Sequence, residues 1–276
     1  MNRQFNLFTL FSRGYSSNSH AVPPRYLKID PTSEGANSSP LVLLHGLLGS
    51  KKNWTSLSKR FSKDLKRTVY ALDLRNHGES EHVRPHDYQS MSEDVLEFIK
   101  KNDIVNPIVL GHSMGGKVAM VASLTEPDIF SSLIVEDMSP VYSDVGAENM
   151  RYVIGLKEIV EAKVKSLKQA DEILKKYDSD LTASKVYVSR IPLDIIGPSL
   201  DNLSEWDMDI SKRFNKPSLL IGGTKSSRVT PEGIKIFRTY FPDSDVSFID
   251  SGHWVHSEKP EEFVQIVESF INKNKL

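Results

Sequence analysis

Short runs of apolar residues recur along the chain, separated by polar and turn-forming segments. Each run spans three to five residues and is followed by loop or turn residues. Continuous apolar runs of this length are typical of strands that are buried on both faces of a parallel sheet. We therefore predict strands over residues 41–44, 68–72, 108–110, 133–135, 219–221 and 246–249.

Helical spacing of apolar residues appears between several of these runs. Residues 90–101 place an apolar face against the predicted sheet, with Ser92 as the candidate N-cap. Residues 260–274 begin with a proline, which suits the first turn of a helix, and continue with apolar residues at helical spacing. This alternation predicts an α/β fold with a doubly wound, mostly parallel central sheet flanked by helices.

The alternation stops between residues 141 and 213. No strong buried-strand run occurs there, and the segment instead carries helical patterns rich in Lys, Glu and Leu, as over residues 150–177. We interpret it as a helical insertion, a cap that lies over the sheet. The predicted core is then built from residues 21–140 and 214–276.

Composition narrows the class of protein. The 276 residues are 39% hydrophobic and 26% charged, unlike a disordered chain. Lys and Arg total 35 against 36 Asp and Glu, whereas nucleic-acid binders carry a basic excess. Cysteine is absent, which excludes disulfides, thiolate metal sites and cysteine nucleophiles. No run approaches the roughly 18 apolar residues that cross a bilayer, so we expect no integral membrane segment.

The first twenty residues differ from the rest of the chain. They contain Arg3 and Arg13 but no acidic residue, several serines, and apolar residues that can share one helical face. This composition is typical of a mitochondrial transit peptide. A secretory signal would need a continuous apolar core, which Asn6 and Thr9 interrupt; a plain disordered terminus is the other alternative. We predict a transit peptide over residues 1–20 and a mitochondrial location.

The strongest chemical signal is the sequence Gly-His-Ser-Met-Gly at residues 111–115. It follows a predicted strand and precedes a helical pattern, the context that the nucleophile turn G-x-S-x-G requires. Small residues let neighbouring backbone approach the strained turn, and the serine hydroxyl is then exposed at the carboxyl edge of the sheet. The alternative is a glycine-rich turn with an incidental serine. We assign Ser113 as the candidate nucleophile.

A serine hydroxyl needs a base to act as a nucleophile near neutral pH. Where this turn occurs, the usual chain order is serine, acid, histidine, with the histidine after the last strand. His253 immediately follows the last predicted strand, beside Gly252, and is the candidate base. We expect His256, three residues later, to have a structural or surface role.

The acid is less obvious, because the loop at residues 222–229 contains no carboxylate. The base still needs an acceptor that fixes its tautomer. Asp137, at the end of the strand predicted over 133–135, is our candidate. A turn carboxylate that caps the chain before a proline is the alternative interpretation of this residue.

Three other acids are weaker candidates for the same role. Glu136 should point to the opposite side of the strand or remain within it. Asp194 lies in the predicted cap, and a mobile insertion orients a histidine poorly. Asp250 is close to His253 in sequence.

Two backbone N–H groups are candidates for an oxyanion hole. Residues 45–49, His-Gly-Leu-Leu-Gly, directly follow the first predicted strand, and Leu47 and Met114 are the candidate donors. We expect a structural hydrogen-bonding role for His45 and a structural turn at residues 73–80. No H-E-x-x-H, G-x-G-x-x-G or phosphate-binding loop occurs, so we expect neither a metal nor a cofactor.

Taken together, these motifs resemble one branch of the α/β-hydrolase superfamily. They are the segments at residues 43–49, 73–78, 111–116 and 252–256, and the resemblance covers nearly everything after residue 22. The branch contains mitochondrial abhydrolase-domain proteins, related bacterial esterases and fungal ethanol acetyltransferases. Its members place the acid after the preceding core strand, which implies Asp137 here.

The resemblance implies a serine hydrolase that cleaves carboxylic esters or thioesters through an acyl-serine intermediate. The expected substrate is a small molecule with a short to medium acyl group, acyl-CoA among them, and no nucleic-acid partner is expected. The first alternative is an alcohol O-acetyltransferase that makes acetate esters from acetyl-CoA and ethanol. The second is a non-catalytic, partner-binding protein on a hydrolase scaffold.

Overall fold

A computed structural model describes residues 21–32, 38–177 and 191–276 of the chain. The predicted transit peptide at residues 1–20 lies outside the described residues, as does part of the predicted cap. Within the described residues, no helix has the length and apolar character needed to span a membrane.

The described residues form a seven-stranded sheet with the strand order β1-β3-β2-β4-β5-β6-β7. All neighbouring strands are parallel except β1, which pairs antiparallel with β3 at the edge. The strands are β1 (Arg25–Ile29), β2 (Leu41–Leu44), β3 (Val69–Asp73), β4 (Ile108–His112), β5 (Ser132–Glu136), β6 (Ser218–Gly223) and β7 (Ser244–Ile249). The six predicted apolar runs correspond to β2 through β7, with ends shifted by up to two residues.

Helices cover both faces of this sheet. One face packs against α2 (Tyr88–Lys101), α3 (Met114–Thr125) and α7 (Pro231–Tyr240), and the other against α1 (Thr55–Asp64) and α9 (Pro260–Lys273). Alternate residues of β2 enter the two cores: Val42 and Leu44 belong to the first, and Leu41 and Leu43 to the second. The predicted doubly wound α/β fold is confirmed.

The remaining helices have separate positions. A short 3-10 helix, Lys51–Trp54, precedes α1, and α8 (Val255–Glu258) leads into α9. The segment between β5 and β6 contains α4 (Val145–Glu161), α5 (Leu167–Leu174) and α6 (Leu193–Ser204). These three helices bury an apolar cluster of their own, which includes Val153, Leu156 and Leu200 and which Leu48 joins from the core. The boundaries of a cap at 141 and 213 stay a prediction.

Candidate active site

The structure brings together the three side chains that the sequence singled out. The Ser113 hydroxyl lies 2.9 Å from His253 Nε2. The opposite ring nitrogen, Nδ1, lies 2.7 Å from a carboxylate oxygen of Asp137. Because a carboxylate accepts from Nδ1–H, the lone pair of the neutral ring is at Nε2, facing the serine. The three residues follow β4, β5 and β7 at the carboxyl edge of the sheet.

The turn at Ser113 is tight. Its φ is +54°, in the left-handed region that non-glycine residues rarely adopt. A Cβ at Gly111 would lie 2.1 Å from the carbonyl oxygen of Gly115, and a Cβ at Gly115 would lie 2.6 Å from that of Leu44. Both positions therefore require glycine, which lets β4 run straight into α3 and leaves the serine at the turn.

Asp137 occupies a similar turn after β5, with φ +49°, and its side chain is fully buried. Besides His253, the carboxylate accepts from the Gly223 N–H at 2.9 Å and from the Ser226 hydroxyl at 2.5 Å. The loop after β6, which contains no acid, thus supplies donors to an acid from the neighbouring strand. Sequence reasoning missed Gly223 and Ser226; a small hydroxyl residue in an acid-free loop was the available signal.

The three rival acids have other partners. Glu136 is buried and accepts from the backbone N–H of His256 at 2.8 Å. The side chain of Asp194 is 81% exposed and lies 3.7 Å from Arg84. Asp250 is exposed and lies 3.0 Å from Lys225. No contact with His253 is recorded for these acids among the described residues.

Two further histidines adjoin the base. His112 Nε2–H donates to the backbone carbonyl of His253 at 2.9 Å, and burial lowers the pKa of His112 to about 3. His256 Nδ1–H donates to Glu136 at 2.8 Å, and its ring stacks on Trp54 with centroids 4.4 Å apart. Both rings are buried, so His256 has a structural environment and lies away from the surface.

Candidate ligand atoms of His112, Glu136 and His256 lie within 4.8 Å of one another, a grouping that can hold a metal ion. The hydrogen bonds of this cluster, however, require protons on His112 Nε2 and His256 Nδ1, because a carbonyl and a carboxylate accept there. A protonated nitrogen has no lone pair for a metal. As observed, these two nitrogens act as hydrogen-bond donors, so a metal would have to bind the opposite ring nitrogens, of which His112 Nδ1 is buried without a partner among the described residues.

The candidate oxyanion donors lie beside the serine. Leu47 and Met114 both line the same cleft as Ser113. Met114 is the first residue of α3, so its N–H has no acceptor within the helix. His45 lies behind this turn, where its Nδ1–H donates to the Gly46 carbonyl at 2.8 Å and its Nε2 accepts from the Leu74 N–H at 3.1 Å. These bonds fit the structural role expected for His45.

The loop at residues 73–80 is held by buried polar contacts. Asp73 accepts from the backbone N–H groups of Lys51 at 2.7 Å and of Glu79 at 2.9 Å. Arg75 forms a buried, two-pronged ion pair with Asp94, with both N–O distances 2.6 Å. The charged residues of this loop are engaged in the fold, in agreement with a structural turn.

Ser113 opens onto a cleft of about 710 Å³. Leu47 and Trp254, which are partly exposed, contribute apolar surface to it. Arg151, Lys225 and Arg228 contribute cationic groups, and Glu258 contributes a carboxylate. Burial lowers the pKa of Arg228, and the negative charge of Asp137 partly offsets this shift. The cleft therefore combines a nucleophile turn, an apolar wall and positive charge in one space.

Comparison with known proteins agrees with this fold. The model of the alpha/beta hydrolase fold family matches residues 39–154. The chain is 36% identical to a "Probable alcohol acetyltransferase" of Saccharomyces cerevisiae, over 88% of this chain and 80% of the relative. It is 31% identical to the "sn-1-specific diacylglycerol lipase ABHD11" of Mus musculus, over 94% of this chain and 90% of the relative.

A solved structure described as a "Marine microorganism esterase" superposes with a TM-score of 0.80 and 30% identity, over 90% of this chain and 99% of that chain. The relatives thus fall in the abhydrolase-domain, acetyltransferase and esterase groups that the motifs indicated, and the resemblance is confirmed. The chain belongs to the α/β-hydrolase family, in the branch that these lipases, acetyltransferases and esterases share.

Proposed function

We propose that the protein is a serine hydrolase that cleaves carboxylic esters or thioesters through an acyl-serine intermediate. One observation carries this proposal: the continuous hydrogen-bond chain from the Ser113 hydroxyl through His253 to Asp137, with bonds of 2.9 and 2.7 Å. A nucleophile bonded to a base that is itself oriented by a carboxylate is the arrangement used for acyl transfer.

In the first step, His253 Nε2 takes the proton from the Ser113 hydroxyl as the oxygen attacks the acyl carbonyl. The carbonyl oxygen becomes an oxyanion, which the N–H groups of Leu47 and Met114 stabilise. One such donor contributes roughly 2.7–4 kcal/mol to the stability of the transition state. Asp137 holds the imidazole in the required tautomer and stabilises its protonated form.

In the second step, the tetrahedral intermediate collapses and the bond to the alcohol or thiol breaks. His253 gives its proton to the leaving group, and the acyl group remains on Ser113. Water then loses a proton to His253 and attacks the acyl-serine, which releases the carboxylic acid and restores the serine.

The cleft supports a short to medium acyl group and a leaving group with negative charge. Leu47 and Trp254 suit the acyl chain, and the cationic groups of Arg151, Lys225 and Arg228 suit phosphates such as those of coenzyme A. An acyl-CoA thioester satisfies both demands, so it belongs in the substrate panel beside neutral esters.

Alcohol acetyl transfer is the second candidate function, and the similarity to the "Probable alcohol acetyltransferase" of Saccharomyces cerevisiae favours it. The acyl-serine would then transfer its acetyl group to ethanol in place of water. Incubation with acetyl-CoA, with and without ethanol, separates the two. Ethyl acetate in excess of free acetate supports the transferase, and free acetate alone supports the hydrolase.

The proposed nucleophile and acid are tested with Ser113→Ala and Asp137→Asn on a panel of esters and thioesters. We expect Ser113→Ala to abolish turnover and labelling by a serine-reactive fluorophosphonate. Asp137→Asn should lower kcat by roughly 10⁴-fold, because the wrong tautomer of His253 is favoured. Full activity of Asp137→Asn would refute the assigned acid. A wild-type protein with no Ser113-dependent turnover would favour a partner-binding protein.

We also propose mitochondrial import directed by residues 1–20, on the basis of their composition alone. The direct test is a fusion of these residues to a fluorescent protein. Replacing Arg3 and Arg13 with glutamate should abolish co-localisation with a mitochondrial marker. Unchanged localisation of this variant would contradict the proposal.

A further inference from the structure

The residue before the candidate nucleophile and the residue before the candidate acid occupy equivalent places. His112 is the last residue of β4, Glu136 is the last residue of β5, and the two are register partners across the parallel ladder. Both side chains are buried. Each reaches toward the segment at residues 253–256, which carries the candidate base.

His112 holds the beginning of this segment. Its Nε2–H donates to the carbonyl of His253 at 2.9 Å, and its ring centroid lies 4.7 Å from that of His253. Burial lowers the pKa of His112 to about 3, so the ring is neutral and carries its one proton where the carbonyl accepts it. Its other nitrogen is buried without a partner among the described residues.

Glu136 holds the end of the segment. One carboxylate oxygen accepts from the backbone N–H of His256 and from its Nδ1–H, both at 2.8 Å. Burial acts to raise the pKa of Glu136, but the adjacent His256, with the two hydrogen bonds that it donates, holds that pKa below its usual range. The side chain is therefore an ionised acceptor bonded to both backbone and ring of one residue.

We propose that His112 and Glu136 are positioning residues that clamp residues 253–256 from both ends and thereby set His253 between Ser113 and Asp137. This inference rests on the proposed function. Its physical basis is that the ends of β4 and β5 each carry one reacting residue, Ser113 or Asp137, directly after one clamp residue. The segment that carries His253 is therefore held by the same two strand ends that carry the nucleophile and the acid. A displacement of about 1 Å at such a site can cost about 10²-fold in rate.

The clamp is tested in the full chain by measuring kcat and KM for p-nitrophenyl acetate. His112→Phe keeps a ring of similar size but removes the donor, whereas His112→Gln retains an N–H at comparable reach. Glu136→Leu removes the acceptor, whereas Glu136→Gln retains one oxygen. We expect His112→Phe and Glu136→Leu to lower kcat about tenfold or more with KM within about twofold, and the two glutamine variants to recover most of kcat.

Trp54→Phe is the matched control for lost stability. Trp54 stacks on His256 but makes no recorded hydrogen bond to the segment, so its replacement should lower the thermal midpoint with little change in kcat. Titration of active sites with a fluorophosphonate corrects each kcat for the unfolded fraction. If both clamp residues act through one segment, the double variant His112→Phe/Glu136→Leu should lose less than the product of the single losses.

The proposal is overturned if His112→Phe and Glu136→Leu keep wild-type kcat, or if the glutamine variants are no better than Phe and Leu. It is also overturned if kcat follows the thermal midpoint across all variants, Trp54→Phe included. Ser113→Ala in the same assay separates the two proposals. An inactive Ser113→Ala with fully active clamp variants refutes the clamp alone, whereas an active Ser113→Ala refutes the proposed function and the clamp with it.

Discussion

At the scale of single residues, Ser113 and Asp137 have the same unusual backbone feature. Each is the first residue after a parallel strand, and each has a positive φ, +54° and +49°. A positive φ costs of order 1 kcal/mol or more for a non-glycine residue, and such strained residues concentrate at functional sites. Because β4 and β5 are adjacent, two such turns side by side direct both side chains into the space that His253 enters.

Ser226 provides a first prediction at this scale. Its hydroxyl donates to the Asp137 oxygen that also accepts from His253. Without it, that carboxylate oxygen keeps only the imidazole as a recorded donor and orients the ring less strictly. We expect Ser226→Ala to lower kcat for an ester substrate by about tenfold, the rate equivalent of a hydrogen bond to a charged group.

The matched control is Thr224→Ala in the same loop, because Thr224 is exposed and bonds Asp250 instead of Asp137. Steady-state kinetics of both variants decide the matter. Wild-type kcat in Ser226→Ala, or an equal loss in Thr224→Ala, would remove the role assigned to the hydroxyl.

The residues of the site differ in how far sequence could predict them. Ser113, Asp137 and His253 each follow an apolar run closely, so strand order and motif suffice to nominate them. The donors to Asp137 lie 86 and 89 residues away in the chain, and only the pairing of β5 with β6 brings them near. His112 was visible within the motif, but its acceptor is a backbone carbonyl that no pattern reveals.

At the scale of elements, the strands that sequence could predict are those with a continuous apolar run. The strands β2, β4, β5 and β6 are buried along their length and β3 everywhere except at Tyr70, and their apolar runs indicate them directly. We missed β1, Arg25–Ile29, because it is an antiparallel edge strand with one neighbour and alternating exposure. The helix predicted from residue 90 begins at Tyr88. The prediction of Ser92 as its N-cap residue is wrong, because the Asp87 side chain caps the helix and accepts from the Ser90 N–H at 2.7 Å.

Lys117 links two elements that the sequence treated separately. It lies in α3, fully buried, beneath α6. Its ammonium group lies 3.4 Å from the carbonyl of Ser204 and 3.3 Å from that of Glu205, and 5.3 Å from the Tyr88 ring centroid. A cation at the carboxyl end of a helix is favourable, but burial works against the charge.

This conflict makes a prediction about pH. Burial, aided by the nearby Arg228, lowers the pKa of Lys117 from 10.5 to about 8. The unfolded chain therefore binds more protons than the folded chain between pH 8 and 10.5, and the lysine's unfavourable contribution is relieved as pH rises through that window. Relative to Lys117→Met, we expect the wild-type free energy of unfolding to rise by about 2 kcal/mol from pH 7 to pH 10.

Urea unfolding of both proteins at pH 7, 8, 9 and 10 measures this difference. All groups other than Lys117 titrate alike in the two proteins and cancel from the comparison. Loss of the bonds to α6 in Lys117→Met adds an offset that does not depend on this titration. A wild-type-to-variant difference that stays constant with pH, or falls, would contradict the prediction.

At the scale of the whole molecule, a net charge of -1 gives no sign that charged and titratable side chains are buried in the interior. The buried pair of Arg75 and Asp94 ties the loop after β3 to α2. Four buried histidines have lowered pKa values for which burial is the largest cause: His45, His77, His86 and His112. Composition counts these groups but does not locate them, so a resistance or sensitivity to acid could not be predicted from sequence.

These histidines predict how the fold responds to acid, and His86 offers the simplest test. Burial, with a smaller effect of Arg75, lowers the pKa of His86 from 6.5 to about 3. Between those values the unfolded chain binds a proton that the folded chain does not, so stability falls as pH decreases from 6.5 toward 3. One such group contributes a slope of up to about 1.4 kcal/mol per pH unit.

We therefore expect His86→Phe to unfold in urea with a free energy that depends less steeply on pH between 6.5 and 4.5 than that of wild type. Phe130→Leu is the matched control, because Phe130 is equally buried and does not titrate. It should displace the whole stability curve without changing its slope. Parallel curves for wild type and His86→Phe would show that this histidine accepts a proton in the folded state, and the acid sensitivity of the fold would then have to come from the other buried groups.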